Sequence, residues 1–266
     1  MPFDIVAWYE SQACAALAAV AAVADPNNYH TSLDDLFVKA KAPYLAGSLC
    51  AAVTQATLKY YEFRQPSLRV PYRFYKGADI NDPLLAEGFN NLWASPLPLF
   101  PGEKLNAYVQ NATNEVDLIL AWLASGPAKL SDLENVKPTH SITGYADAAL
   151  TAGAWTDVDI TWDQELPGGR YAVVGMQVGT YKAAAPAFGA ARLILLDTTW
   201  RPGVVTRQAE GDKLGLASIS PALMYGERWP LMSEIAFNHD QMPNLQMLCG
   251  DANTDHIVEL LLQKIG

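Results

Sequence analysis

Two similar stretches occur in this sequence, Leu105–Leu120, LNAYVQNATNEVDLIL, and Leu245–Leu262, LQMLCGDANTDHIVELLL. Each is typical of a strand, a polar turn rich in Asn, Asp or Thr, and a second, apolar strand. The two copies are about 140 residues apart, and self-similarity of this kind is typical of duplicated structural units. Trp93 and Trp229, each followed closely by Pro-Leu, continue the parallel upstream. We interpret the two stretches as a duplicated β-hairpin, the alternative being that two unrelated hairpins look alike.

Further strand-like segments surround both copies. Thr57–Tyr75 is rich in Tyr, Phe and Val and is broken by two prolines, which favours strands near a sheet edge. The second half has short strands at turn spacing, the pattern of a sandwich or jelly roll. They are Trp155–Trp162, Tyr171–Val178, Ala191–Leu196 and Gly203–Arg207. The expected fold class is therefore mainly β, with two tandem jelly-roll-like β-sandwich domains and an α-helical N-terminal region.

The N-terminal region has a pattern that predicts helices. Asp4 is placed to cap a first helix that runs through Ala24, and Ser32 with Asp35 resembles a capping box for a second helix. The second helix would cover roughly Leu33–Lys41. The expected organisation is a helical region at 1–53, a first β domain at 54–127, a linker at 128–141 and a second jelly-roll-like β domain at 142–266.

The composition excludes two classes of protein. Half of the 266 residues are hydrophobic, 17% are charged and the formal net charge is −10. A disordered chain needs less hydrophobicity and more charge, and a protein that grips nucleic acid through a generally basic surface needs the opposite net charge. The most apolar run, Ala13–Ala24, is shorter than the roughly 20 residues that span a bilayer. The low charged fraction suggests that other subunits cover part of the surface.

The sequence has few residues suited to catalysis or ion binding. Its three cysteines are far apart and form no CxxC pair, which argues against a disulfide framework and a zinc site. We interpret His239-Asp240 as a surface turn, because no further metal ligand lies at suitable spacing. Asp251–Asp255 begins like a calcium loop, but the Gly and the final Glu of an EF-hand are missing. The phosphate-loop and nucleophile-elbow motifs are absent as well. We expect no enzyme activity, no cofactor and no metal.

Several stretches resemble one family. Leu166–Val178, LPGGRYAVVGMQV, is followed by Ala191-Arg192-Leu193-Ile194 and by Arg201-Pro202-Gly203-Val204, and Ala42–Leu68 resembles the corresponding N-terminal portion. Together they resemble the major capsid proteins of tailless icosahedral viruses of microbes, of the double jelly-roll type. The resemblance implies a structural protein that assembles with copies of itself, most simply as trimeric capsomers. It also implies assembly in the host cytoplasm, a final location in the virion and contacts with other virion proteins.

The contact residues that the sequence predicts are of two kinds. Trp8, Trp93 and Trp229 are expected at subunit contacts, because Trp is a favoured interface anchor, and Arg69 and Arg73 are expected in polar pairing. One basic and aromatic stretch is a candidate contact for a genome or an internal membrane, since such strands can stack on and neutralise single-stranded nucleic acid. Pairing between subunits and plain solvation are the alternatives for it. Its basic residues are Lys59, Arg64, Arg69, Arg73 and Lys76.

Two other functions stay open. A carbohydrate-binding β-sandwich module would use exposed Trp and Tyr side chains. Trp155 and Trp162, seven residues apart on one alternating strand, would point to opposite faces, so one of them would lie outside the core. A jelly-roll glycoside hydrolase would need two carboxylates facing one cleft, for which Asp157 and Asp159 are candidates. The ordinary explanation for that pair is a solvated strand face.

Overall fold

The computed structural model describes residues 2–10, 16–25, 30–32, 35–52, 58–75, 77–79, 88–112, 117–127, 139–147, 149–181, 189–209, 235–249 and 255–266. These residues form 21 β-strands and no α-helix. The chain divides into two compact units. The N-terminal unit consists of Ile5–Pro127 and Ala152–Trp155, and the C-terminal unit consists of Met1–Asp4, Ala128–Thr151 and Thr156–Gly266.

The N-terminal unit has two layers of strands. The first layer has the order β10-β5-β12-β1 and the second has the order β2-β11-β6-β7, and pairing of β1 with β2 joins the layers. Four very short strands add to this arrangement: β8 and β9 both pair with β5, and β3 pairs with β4. The strands are β1 (Phe3–Glu10), β2 (Ala18–Ala22), β3 (Thr31–Ser32), β4 (Asp35–Leu36), β5 (Tyr44–Ala52), β6 (Leu58–Arg64), β7 (Tyr72–Phe74), β8 (Ala78–Asp79), β9 (Asn90–Asn91), β10 (Leu97–Pro98), β11 (Asn106–Asn111) and β12 (Asp117–Ala124).

The two layers of the N-terminal unit face each other across a common core. The centroid of the Trp8 ring on β1 lies 5.4 Å from that of the Phe63 ring on β6. The Tyr61 hydroxyl on β6 lies 2.8 Å from the Ser48 hydroxyl on β5. β12 is buried at all eight positions because it lies between β5 and β1 and is covered on both faces. A strand covered in this way has consecutive rather than alternating apolar residues, as DLILAWLA does.

The C-terminal unit also has two layers. β19, β16, β21 and β13 follow one another in the first layer, and β14, β20, β17 and β18 follow one another in the second. β15 extends the first layer beyond β13, and parallel pairing of β16 with β18 joins the layers. The strands are β13 (His140–Asp147), β14 (Thr156–Val158), β15 (Thr161–Trp162), β16 (Arg170–Tyr181), β17 (Gly189–Ile194), β18 (Gly203–Ala209), β19 (Ala236–Asn238), β20 (Asn244–Cys249) and β21 (Asp255–Lys264).

The two units have the same strand order. Without the additional short strands β3, β4, β8, β9 and β15, each unit has eight strands in sequence. In both units the sixth, third, eighth and first strands make one layer, and the second, seventh, fourth and fifth make the other. The seventh and eighth strands are β11 and β12 in one unit and β20 and β21 in the other. These are the strands of the repeated stretches, which therefore occupy equivalent places in the two units.

The predicted hairpins, however, are wrong. β11 pairs with β2 and β6, whereas β12 pairs with β5 and β1. In the same way β20 pairs with β14 and β17, whereas β21 pairs with β13 and β16. Each repeat is thus two strands that lie in different layers, with a crossing between them. Sequence alone did not distinguish a tight turn from a crossing, and residues 113–116 and 250–254 lie outside the described residues.

The predicted N-terminal helices are also wrong. The span from Asp4 through Ala24 contains β1 and β2, and the span Leu33–Lys41 contains β4 and a bridge from Phe37 to Lys104. β1 is buried at its first six positions. Residues 5–8 of this strand are all apolar, so the sequence shows no strand alternation there. The Ala-rich β2 is paired on both sides, and this pairing overrides the helix propensity of alanine. Asp4 caps no helix; its carboxylate accepts a hydrogen bond from the backbone N–H of Arg201.

Most of the other predicted strands are confirmed. Thr57–Tyr75 contains β6 and β7, and Tyr171–Val178 lies within β16. Ala191–Leu196 and Gly203–Arg207 match most of β17 and β18. Trp155–Trp162 is an exception, because it contains two strands with different partners: β14 pairs with β20, and β15 pairs with β13. Of the expected linker, residues 128–138 lie outside the described residues, and β13 begins at His140.

Candidate interaction surface

Five polar and aromatic side chains share one face of the second layer of the N-terminal unit. Tyr60, Glu62 and Arg64 alternate along β6, so they point to the same side of the strand. Register places Glu62 between Arg73 on β7 and Tyr108 on β11. We call these five residues the Glu62 cluster. The core residues Tyr61 and Phe63 occupy the opposite face of β6.

Glu62 is the centre of this cluster. Its side chain has no solvent exposure, although both arginine side chains are about 40% exposed. Arg64 Nε donates to Glu62 Oε1 at 2.6 Å, and Arg73 Nε donates to Oε2 at 2.7 Å. Hydrogen bonding to Glu62 raises the pKa of Arg73. One carboxylate thus binds two guanidinium groups with charge-assisted hydrogen bonds.

The two arginines also lie over aromatic rings. The guanidinium carbon of Arg64 is 4.2 Å from the centroid of the Tyr108 ring, and that of Arg73 is 4.4 Å from the centroid of the Tyr60 ring. At these distances a cation is attracted by the face of the ring. The cations of the predicted basic stretch are therefore of two kinds. Arg64 and Arg73 are held within the Glu62 cluster, whereas Lys59 and Arg69 are exposed. Lys76 lies outside the described residues.

Exposed apolar residues lie on both sides of β7. Val70, just before the strand, is 72% exposed and Tyr75, just after it, is 71% exposed. β7 is the last strand of its layer, and among the described residues no further strand pairs with its outer edge. We call Arg69, Val70 and Tyr75 the β7 rim. An unpaired sheet edge with exposed apolar neighbours is a surface on which proteins associate.

The predicted tryptophan anchors lie elsewhere. Trp8 and Trp93 are buried within the N-terminal unit, at 1% and 6% exposure, so their side chains offer almost no contact area to a partner. Trp229 lies outside the described residues. Trp155 is buried as well, whereas Trp162 is half-buried. The prediction used only the preference of interfaces for tryptophan. Residue type does not show which tryptophan side chains reach the surface.

The candidates for chemistry are dispersed. Asp157 and Asp159 are exposed, and Asp157 Oδ1 accepts a hydrogen bond from Gln246 Nε2 at 2.6 Å. Gln246 Oε1 in turn accepts from Nε of the buried Arg192, so Asp157 belongs to a cross-strand polar chain. Among the residues that the structure describes, no three His, Cys, Asp or Glu side chains form a metal-binding group. The turn predicted at His239-Asp240 is confirmed, because Gln241 N–H donates to the carbonyl of Asn238.

The C-terminal unit also has an open cleft that was not predicted from the sequence. Its volume is about 560 Å³. Two short segments line it, one that follows β15 and one that follows β19. We call it the Trp162 cleft, and its lining residues are Trp162, Asp163, Gln164, Glu165, Leu166, His239, Asp240 and Met242. The corresponding signal in the sequence is Trp162 followed by the three polar residues 163–165. In the sequence-based prediction, Trp162 was only the end of a strand.

The chain has no match among models of known protein families, and none among curated proteins. Within the described residues, no helix has the length and apolar character needed to cross a membrane.

Proposed function

We propose that both units are jelly rolls and that the chain is a structural, self-assembling capsid protein. One observation carries this proposal: the eight strands have the order 6-3-8-1 and 2-7-4-5 in each unit. In that order the chain crosses repeatedly between two four-stranded layers, which is the connectivity of a jelly roll. Viral capsid proteins, lectins and cupins are built on this architecture, so the fold alone does not choose among them.

The duplication favours the capsid function among these three. A trimer of chains with two jelly rolls each presents six similar β units and approaches sixfold symmetry with only three identical subunits. Such a capsomer fills a hexagonal position in an icosahedral shell. The low charged fraction of the chain, 17%, agrees with a protein that covers part of its surface with copies of itself.

The β7 rim is the surface that we propose for contact between copies. It combines two exposed apolar side chains, Val70 and Tyr75, with the exposed cation Arg69. Burial of large apolar side chains would supply the association energy, and the cation would add specificity for an acidic partner surface. The Glu62 cluster holds the neighbouring strands β6 and β7 together. Contact with a genome or an internal membrane is proposed for the exposed Lys59, and for Lys76, since Arg64 and Arg73 are held by Glu62.

The experiment is electron microscopy of the purified chain, with variants that change the β7 rim. We expect capsomer-sized particles or closed shells of uniform diameter for the wild-type protein. Val70→Asp combined with Tyr75→Asp should abolish them, because two buried carboxylates would be added to each contact. Leu196→Asp is the matched control, since Leu196 is 76% exposed and belongs to the other unit.

Circular dichroism of each variant shows whether the fold is kept. Wild-type protein that forms no regular particle across salt and pH would refute the capsid proposal. Assembly of the double variant as efficient as that of the wild type would refute the place of the contact.

A further inference from the structure

We propose that the Trp162 cleft is a binding site for a neutral saccharide. Its volume of about 560 Å³ falls in the range of small-ligand sites, which is roughly 300–1,000 Å³. Its lining combines one aromatic wall with several hydrogen-bonding groups and two apolar side chains, Leu166 and Met242. This inference concerns ligand binding by one unit and does not depend on assembly of the chain.

Trp162 supplies the aromatic wall of the cleft. One side of its ring lies against Gly144 on β13, where an added Cβ would come within 2.9 Å of ring atom Cε3. Because Gly144 has no side chain, the indole can pack directly against the backbone of β13. The other side of the ring remains partly exposed and forms a wall of the cleft. An indole held in place at low entropic cost is suited to pack against the C–H face of a pyranose ring.

Hydrogen bonds hold the first segment of the cleft in place. Asp163 Oδ1 accepts from the backbone N–H of Thr143 at 3.0 Å, and Gln164 Nε2 donates to the carbonyl of Ser141. Both partners lie on β13, which pairs with β21 along its whole length. Glu165, the next residue, is exposed and has no hydrogen-bond partner among the described residues. The segment is thus fixed on the sheet while a carboxylate is left for a ligand.

The second segment is fixed through His239. The backbone N–H of Gly169 donates to His239 Nδ1 at 3.3 Å, and the backbone N–H of His239 donates to the Gly169 carbonyl at 3.0 Å. Because Nδ1 accepts a hydrogen bond, the neutral imidazole has its proton on Nε2 and can donate there. Asp240 next to it is exposed and, within the described part of the chain, has no hydrogen-bond partner. The cleft is therefore largely preformed, which lowers the entropic cost of binding.

The mixture of polar groups indicates hydroxyl groups as the ligand chemistry. Carboxylates accept hydrogen bonds and the imidazole Nε2 donates one, and a sugar hydroxyl can do both. Among the described residues the lining contains Asp163, Glu165 and Asp240 and no Lys or Arg, so we expect sialylated or sulfated sugars to be repelled. A simple cation would use the carboxylates but leave the imidazole donor unpaired. A neutral saccharide uses the ring, the acceptors and the donor together.

The test is binding of the full-length chain to an array of neutral, sialylated and sulfated glycans, with titration calorimetry on the best neutral glycan. Trp162→Ala should weaken binding by about tenfold or more, because the stacking wall is lost. Glu165→Gln changes only an exposed side chain and should weaken binding several-fold while the fold stays intact. Tyr145→Ala is the matched control, since Tyr145 is a 41% exposed aromatic residue on β13 that does not line the cleft.

The expected result is binding of neutral glycans by the wild-type and Tyr145→Ala proteins and its loss in Trp162→Ala. No neutral glycan bound by the wild type would overturn the proposal, as would equal binding by Trp162→Ala. Spermidine serves as a cationic probe. If it bound more tightly than every neutral glycan, and lost affinity in Glu165→Gln but not in Trp162→Ala, the cleft would be a cation site instead.

Discussion

The Glu62 carboxylate has no solvent exposure, and it lies between two arginine side chains that are partly exposed to solvent. Removing one member of such a group leaves the others uncompensated, which costs more than the pair itself contributes. Glu62→Gln should therefore lower the free energy of unfolding by about 2 kcal/mol. This is less than the cost of breaking a fully buried pair, because both arginines are partly exposed to solvent. Urea unfolding followed by circular dichroism measures the change.

Glu103→Gln is the control for that substitution. Glu103 is only partly buried and accepts hydrogen bonds from Ser67, so we expect a change within about 0.5–1 kcal/mol. Equal effects of the two substitutions would show that Glu62 does not hold the cluster together.

Tyr61 predicts a dependence of stability on alkaline pH. Burial raises the pKa of Tyr61 well above its ordinary value of 10.0. In the unfolded chain the phenol ionises near that value. Above about pH 10 the folded state therefore binds more protons than the unfolded state does. The stabilisation is present below about pH 10 and is lost above it, by about 1.4 kcal/mol per pH unit.

Urea unfolding of the wild type and of Tyr61→Phe between about pH 8 and pH 11 measures this loss. At neutral pH Tyr61→Phe should cost about 1–2 kcal/mol, since the hydroxyl that bonds Ser48 and Asn90 is removed. Above about pH 10 the variant should lose stability less steeply than the wild type, and parallel curves would contradict the explanation. Tyr145→Phe is the matched control, since Tyr145 is an exposed tyrosine.

At the residue scale, the spacing of side chains along β6 already predicts part of the Glu62 cluster. Glu62 lies two residues from both Tyr60 and Arg64, and on a predicted strand this spacing already puts the three on one face. Its pairing with Arg73 could not be predicted, because the register of β6 and β7 depends on the turn between them. The burial of Trp8 and Trp93 could not be predicted from the sequence either, since it depends on which layer covers them.

At the scale of elements, β6 was predictable from its polar face, whereas the buried strand β1 was not. β6 alternates and contains aromatic and basic residues, and it was predicted. β1, Phe3–Glu10, is covered on both faces at its start, so its apolar residues are consecutive and suit a helix as well. β11 and β12 were both predicted as strands, but all of their partners are more than 40 residues away, and local sequence indicated a hairpin.

A disulfide tests where β12 lies. Ile119 on β12 is opposite Cys50 on β5 in the antiparallel register, so the two side chains are on the same face. Ile119→Cys should therefore form a disulfide with Cys50 when the protein is refolded under oxidising conditions, in a background with Cys14→Ser and Cys249→Ser. Peptide mapping by mass spectrometry without reduction detects the bond.

Leu118→Cys is the control for the disulfide. Leu118 is opposite Ala51 and points to the other face, so it should not link to Cys50. If β12 did not pair with β5 in this register, neither cysteine would link to Cys50, and this result would contradict the place of β12 in its layer.

At the scale of the whole molecule, the repeat was the most informative part of the sequence. It indicated two units with equivalent last strands, and the strand orders agree with that equivalence. It could not show that β1, β2 and β5 complete the N-terminal unit, since their apolar runs resembled helices. The expected separate helical region at 1–53 therefore does not occur among the described residues, and Ile5–Ala52 belongs to the N-terminal unit.

Sedimentation velocity over a wide range of protein concentration tests whether the chain assembles with copies of itself. We predict a discrete species of roughly three times the chain mass of 28.9 kDa, or larger shells built from it, with the monomer fraction falling as concentration rises. The Val70→Asp and Tyr75→Asp double variant should sediment as a monomer under the same conditions. If the wild-type protein sedimented only at 28.9 kDa at every concentration, the chain would be a monomer and self-assembly would be refuted.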